Sequence, residues 1–262
     1  MAVCMISYKV TAFGLSDVGR VRQNNEDVWA AIPELDFYVL ADGMGGHQAG
    51  EIASHEAVKS LCQLAKKSWG ASSHSFHDMR KILKHAIEHV NSRIYKMSRT
   101  QPGLKGMGTT LCCVLFHDKG VVYAHVGDSR IYRLRKHQLE QLTKDHSLYR
   151  ELVDQGQLVE KQLPDFMYKN IITKAIGTEP HVEPSVHLTD IEDKDIYMMC
   201  TDGLSDLLTI TEMQNILNQE NSIEESGKEL VATANARGGY DNVTVTIMQV
   251  TRINEQADLP RQ

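Results

Sequence analysis

The most regular signal along the chain is a set of short apolar runs that end or begin at an acid. Phe37-Tyr38-Val39-Leu40-Ala41 runs into Asp42, residues 120–127 run into Asp128, and Ile196-Tyr197-Met198-Met199-Cys200-Thr201 runs into Asp202. Asp241-Asn242 opens Val243-Thr244-Val245-Thr246-Ile247-Met248, and Thr109-Thr110 opens Leu111-Cys112-Cys113-Val114-Leu115-Phe116. Their shortness and their β-branched and aromatic content predict buried strands. Two longer stretches carry helical spacing instead. Ile52, Ala53, Glu56, Ala57, Ser60, Leu61 and Leu64 form one set. Met79, Leu83, Ala86, Ile87, Val90, Ile94 and Met97 form a cleaner stripe, with Ser75 as its N-cap. Thr211-Glu212-Met213-Gln214 and Ser222-Ile223-Glu224-Glu225 match capping boxes, and the second predicts a helix that ends before Gly238-Gly239.

Between Asp145 and Thr189 the periodicity weakens. A short helix over 148–155 stops at Gly156, and Pro164, Pro180 and Pro184 follow. Such irregularity inside a compact domain predicts a lid or binding loop, placed at about 146–190. The acidic run Glu192-Asp193-Lys194-Asp195 reads as a solvated turn. The pattern fades after Val250, so 251–262 is expected as a surface tail. No Gly/Ser/Pro linker divides the rest, which predicts one domain over 1–250.

Composition narrows the class. Across 262 residues, 28 Lys and Arg face 34 Asp and Glu, a net charge of −6. That balance argues against a general nucleic-acid binder, which needs a basic face. No apolar run approaches the roughly 20 residues of a membrane span. The first residues are too short and uncharged a stretch for a signal peptide. The five cysteines, Cys4, Cys62, Cys112, Cys113 and Cys200, are odd in number and form no C-x-x-C pair. They read as reduced core thiols, which predicts the cytoplasm.

The acids carry the candidate chemistry. In antiparallel pairing, the end of one strand and the start of its neighbour share one sheet edge. Asp42, Asp128, Asp202 and Asp241 can therefore meet at one rim, with Glu26-Asp27 joining from just before Val28. A single Asp-Gly after a strand is ordinarily just a turn. A shared site is the alternative, and its all-oxygen donors would suit a hard divalent ion, Mg²⁺ or Mn²⁺, rather than Zn²⁺. Spacing alone leaves both readings open.

The motifs taken together resemble the metal-dependent protein Ser/Thr phosphatases of the PP2C (PPM) family, in their compact bacterial form. They are residues 16–27, Ala41-Asp42-Gly43-Met44-Gly45-Gly46-His47, Gly108-Thr109-Thr110, Val126-Gly127-Asp128-Ser129-Arg130, Thr201-Asp202-Gly203-Leu204 and residues 239–245. They occur in the family's order over about 8–250. The resemblance implies an α+β fold, a four-layer α-β-β-α sandwich of two antiparallel sheets flanked by helix pairs. It implies two Mn²⁺ or Mg²⁺ ions in a cleft at one end, with a third in some members. Asp42 matches the bridging ligand, the Gly43 carbonyl a ligand of one ion, and Asp202 and Asp241 ligands of the other. Glu26 and Asp27 match acids that hold metal-bound waters, and Asp128 with Asp202 matches the third site. Arg22 matches the phosphate-binding arginine.

The implied reaction is hydrolysis of phosphoserine or phosphothreonine on proteins, by attack of a bridging, metal-activated water. Expected partners are phosphorylated proteins, namely bacterial-type Ser/Thr kinases and their substrates, met by a monomer. Arg130 is expected to pair with a nearby acid, Asn242 to orient Asp241 or a loop, and His146 to be structural. His47 is a candidate proton donor, although solvated or packing roles suit it better. Two positions depart from relatives. Met44 stands where many eukaryotic members carry a histidine acid, and Lys169 stands where bacterial relatives often carry arginine. Two further readings are a non-catalytic binding domain of the same fold and a metal-dependent nucleotidyl hydrolase.

Overall fold

The computed structural model describes residues 7–45, 49–69, 74–158 and 171–253. Cys4, Gly46, His47 and the lid segment 164–170 with Lys169 lie outside the described residues. The strands are β1 (Ser7–Asp17), β2 (Asp27–Ile32), β3 (Phe37–Met44), β4 (Gly108–Thr109), β5 (Leu111–His117), β6 (Gly120–Val126), β7 (Arg130–Arg135), β8 (Gln138–Gln141), β9 (Ser185–Thr189), β10 (Ile196–Cys200) and β11 (Val243–Ile253). The helices are α1 (Ala49–Ser68), α2 (Phe76–Thr100), α3 (Leu148–Asp154), α4 (Asp202–Ser205), α5 (Ile210–Leu217) and α6 (Ile223–Ala236). One antiparallel sheet has the order β1-β11-β10-β7-β8. The other has the order β2-β3-β5-β6-β9, with β4 added to β3.

Side-chain alternation explains the layering. Successive residues of a strand face opposite ways, so a strand buried on both faces must be apolar throughout. In β3, Phe37, Val39 and Ala41 pack with Ala53 and Leu61 of α1 and Leu83, Ile87 and Ile94 of α2. The intervening Tyr38 and Leu40 pack with Met199 of β10 and Met248 and Val250 of β11. On the outer side of the β1-β11-β10-β7-β8 sheet, Met198, Val245 and Ile247 pack under Met213, Leu230 and Ala234 of α5 and α6. Helices, sheet, sheet and helices therefore form four layers. The same alternation separates the adjacent cysteines, with Cys113 beneath the helices and Cys112 between the sheets. Cys62, Cys112, Cys113 and Cys200 are all free thiols.

Three expectations are corrected. The first capping box belongs to Thr209, not Thr211. The Thr209 N–H donates to Glu212 Oε2 at 2.9 Å, and its Oγ1 accepts from the Glu212 N–H. A charged glutamate three residues on makes a stronger reciprocal acceptor than Gln214 would. The Glu192–Asp195 turn is not wholly solvated. Asp195 is only 1% exposed and accepts from Arg135 Nε at 2.8 Å and Nη2 at 2.6 Å. The C-terminal strand also continues past Val250, because residues up to Ile253 pair with β1. No helix among the described residues is long and apolar enough to cross a membrane.

Candidate active site

Both sheets deliver acids to the same end of the sandwich. Pairing of β2 with β3 sets Asp27 directly opposite Asp42. In the other sheet Cys200 pairs with Val245, so Asp202 after β10 and Asp241 before β11 come to a common rim. Asp128 sits in the turn joining β6 to β7. Asp27 ties the two sheets together across this rim. Its Oδ2 accepts from Thr201 Oγ1 at 2.9 Å and Thr244 Oγ1 at 2.7 Å. Thr244→Val deletes one of these bonds to a buried carboxylate. It should cost about 1.5–3 kcal/mol in a urea titration, and an unchanged midpoint would count against the tie.

Backbone clamps hold the acids in place. The Asp42 N–H donates to Thr110 Oγ1 at 3.0 Å, and its carbonyl accepts from Thr109 Oγ1 at 2.8 Å. Thr110 Oγ1 also bonds Ser129 Oγ at 2.7 Å, which joins the Asp42 strand to the Asp128 turn. That turn is held from the other side by His146, whose Nδ1 accepts from the Gly127 N–H at 3.1 Å. The imidazole proton then lies on Nε2, which donates to Ser185 Oγ at 3.1 Å. Burial first, then the charges of His125 and Lys174, lower the His146 pKa to about 3. The ring is therefore neutral and structural, as its motif suggested. Two glycines allow the close approach. A Cβ at Gly43 would lie 2.2 Å from the Gly50 carbonyl oxygen, and one at Gly203 would lie 1.9 Å from that of Asn242.

The cluster is short of positive charge. Asp42 is pushed well above the ordinary carboxylate range, by burial first and then by Asp27, Asp202, Asp128 and Asp241. Burial likewise raises Asp27, against the lowering hydrogen bonds from Thr244 and Thr201. Asp128 is raised by burial, then Asp202 and Asp145. Asp202 is raised by burial, then Asp241 and Asp206, with its hydrogen bond to Asp42 working the other way. Glu26 is raised by burial, with the Arg22 charge opposing.

At the mouth, Arg22 Nη2 reaches Asp241 Oδ2 at 2.7 Å, and about half of the arginine side chain remains exposed. Asn242 anchors the loop that carries Arg22. Its Nδ2 donates to the Val18 and Asn24 carbonyls, and its Oδ1 accepts from the Glu26 N–H at 2.8 Å. Arg130 does not face this opening. It forks onto Asp145 through Nε and Nη2 at 3.0 and 2.7 Å. Val18, Val21 and Tyr240 are exposed beside Arg22 and Asp241 in the chain. Asn242 orients a loop, as expected of it, whereas the roles of Thr201, Thr244 and Ser129 were not readable from order alone, although all three lie inside the motifs.

The donor set suits hard cations. Asp27 Oδ1 and Asp202 Oδ1 are buried with no hydrogen-bond partner, and a buried unpaired carboxylate oxygen is costly without a cation. Among the described residues no three His, Cys, Asp or Glu side chains are placed to hold a metal ion by themselves. Ions of the Mg²⁺ type keep several waters and need few protein donors. The geometry and the motifs agree with a comparison across families, in which protein phosphatase 2C matches residues 19–249. The chain belongs to the protein phosphatase 2C family. The serine/threonine phosphatase stp of Listeria monocytogenes is 36% identical over 237 residues, 89% of this chain and 93% of that protein. The Mycobacterium tuberculosis phosphatase PstP/Ppp superposes with a TM-score of 0.83 at 35% identity, over 92% of this chain and 98% of that one. A PstP catalytic domain in complex with two manganese ions matches with a TM-score of 0.82 at 34% identity, over 94% of this chain and 100% of that one.

Proposed function

We propose that the chain is a divalent-cation-dependent phosphatase that removes phosphate from phosphoserine and phosphothreonine on proteins. The observation that carries this reading is the crowding of acids from both sheets at one rim, beside a half-exposed arginine. Asp42, the Gly43 carbonyl, Asp202 and Asp241 would hold two Mn²⁺ or Mg²⁺ ions. Glu26 and Asp27 would hold the water around them, and Asp128 with Asp202 would hold a third ion. Bound there, the cations supply charge neutralisation and lower the pKa of water enough for hydrolysis at neutral pH.

The chain's own groups do the rest. Arg22 is paired with Asp241, and once that carboxylate serves a cation its planar fork is free for two phosphate oxygens. Met44 has no proton to give a leaving alkoxide. Val21 and Tyr240 offer apolar contact to the polypeptide around the phosphoresidue. Arg22→Ala should raise KM for a phosphothreonine peptide at least about tenfold, because both charge-assisted bonds of the fork are lost. An unchanged KM would remove Arg22 from the phosphate site.

A non-catalytic relative would be expected to lack one of these acids, and none is missing. We read the protein as a cytoplasmic monomer, acting as one catalytic domain opposed to Ser/Thr kinases. The four free thiols among the described residues, three of them buried, suit a reducing compartment. The test is phosphate release from a phosphothreonine peptide against release from a nucleoside triphosphate. The peptide should be the faster substrate, and the reverse order would favour a nucleotide hydrolase.

A further inference from the structure

A cleft of about 620 Å³ opens between the first turns of α2 and strand β9, and none of its lining residues belongs to the acid rim. Its charge is the reverse of the chain's. The protein carries −6, yet this cleft gathers Arg80, Lys81, Lys84 and Lys174 against the carboxylates Asp78 and Glu183. Lys84 is paired with Glu183 at 3.1 Å, and Asp78 accepts from the Ser75 hydroxyl at 2.6 Å. Among the described residues Arg80, Lys81 and Lys174 are paired with no acid. The charges are felt locally. Burial and then Arg80 hold His187 below its ordinary range, and Lys174 adds to the lowering of His125 and His146.

The backbone supplies a second, independent feature. Among the described residues β9 is the edge of its sheet and pairs with β6 on one side only. Alternate residues of a strand point to opposite faces. A cleft lined by four consecutive residues, 185–188, therefore runs along the open edge of the strand rather than over one face. An open edge offers N–H and C=O groups to an extended chain. The cations on α2 spread over one helical turn, about 6 Å along its axis, which suits a row of acidic groups better than one small ion.

We propose that this cleft docks an acidic segment of the phosphoprotein substrate as an added strand on β9, with its acidic groups facing Arg80, Lys81 and Lys174. The proposal rests on the reading of the chain as a phosphoprotein phosphatase. The cleft is also connected to the rim. Ser185 bonds His146, and His146 holds Gly127, the residue before Asp128. Thr173, next to Lys174, donates its N–H to the His146 carbonyl at 2.8 Å. A substrate segment on β9 thus lies beside the turn that carries Asp128.

The test uses the full chain with Mn²⁺ and two phosphothreonine peptides, one extended by a Glu/Asp tail and one by a Gly/Ser tail. The acidic tail should lower KM about tenfold with kcat unchanged, and added salt should erode the difference. The triple variant R80E/K81E/K174E should abolish that advantage while leaving p-nitrophenyl phosphate turnover intact. Amide exchange over Ser185–Thr189 should slow when the tail is bound. Equal KM for the two tails, or an advantage that survives charge reversal, overturns the proposal. Binding without slowed exchange at β9 overturns strand addition. A fluorescent, unphosphorylated acidic peptide is read by anisotropy and needs no turnover. If it binds in wild type but not in the triple variant while no peptide is hydrolysed, the cleft stands and the phosphatase reading fails.

Discussion

Asp42→Asn is expected to lower phosphate release on the order of a thousandfold or more, and at the same time to raise the melting temperature of the cation-free protein. Both effects have one cause. Asp42 is buried at the centre of the cluster and is opposed by Asp27, Asp202, Asp128 and Asp241. In the cation-free protein it raises the energy of the fold, and the use proposed for it is to bind cations. Asparagine keeps the shape and can donate an N–H to Asp202, the group that already shares a hydrogen bond with Asp42. Removing repulsion worth 1 kcal/mol should raise the melting temperature by about 2–4 °C in a chain of this size. Asp202→Asn should behave alike. Near-normal turnover in both variants would reject the site, and a fall in cation-free stability in both would reject the repulsion argument.

Removing divalent cations should destabilise the protein, and more strongly as pH rises. The native pKa values of Asp27, Asp42, Asp128 and Asp202 are all raised above their unfolded values. In that case the native state holds protons that the unfolded state has already lost, so stability falls as pH increases. The loss begins near the unfolded value of about 4. It continues to about 7, the value to which Asp27 and Asp128 are pushed. Below that window both states are protonated and the cluster contributes nothing. A cation at a hundredfold excess over its Kd adds about 2.7 kcal/mol, or roughly 5–10 °C. Scanning calorimetry with and without EDTA should therefore show a large difference at pH 7.5 and a small one at pH 5. A pH-independent difference would mean that the acids are not what the cations relieve.

Much of this was legible in the sequence because the central strands are buried on both faces. β3, β5, β6 and β10 stand out as apolar runs and β11 opens on alternating Val and Thr, and the ends of β3, β6 and β10 and the start of β11 mark the acids. The other strands are hidden for a physical reason. β7 reads Arg130-Ile131-Tyr132-Arg133-Leu134-Arg135, and its charged positions look solvent-facing. In the fold, Arg130 meets Asp145, Arg133 meets Glu140 and Asp190, and Arg135 meets Asp190 and Asp195. The same pairing explains why Asp195 was misread as a surface acid. The tie between the sheets was out of reach too, since Asp27 finds Thr201 and Thr244 across 174 and 217 residues of chain. Nothing in the order of residues places Lys174 beside Arg80.

In the function proposed, the rim of acids works only as a holder of divalent cations for phosphate hydrolysis. That role is tested most directly by stripping the purified chain of metal and following phosphate release from a phosphothreonine peptide during a Mn²⁺ titration. No release should occur in EDTA, and activity should return along a saturable curve that Asp42→Asn abolishes. Full turnover in the stripped protein, unchanged by added Mn²⁺, would contradict the account.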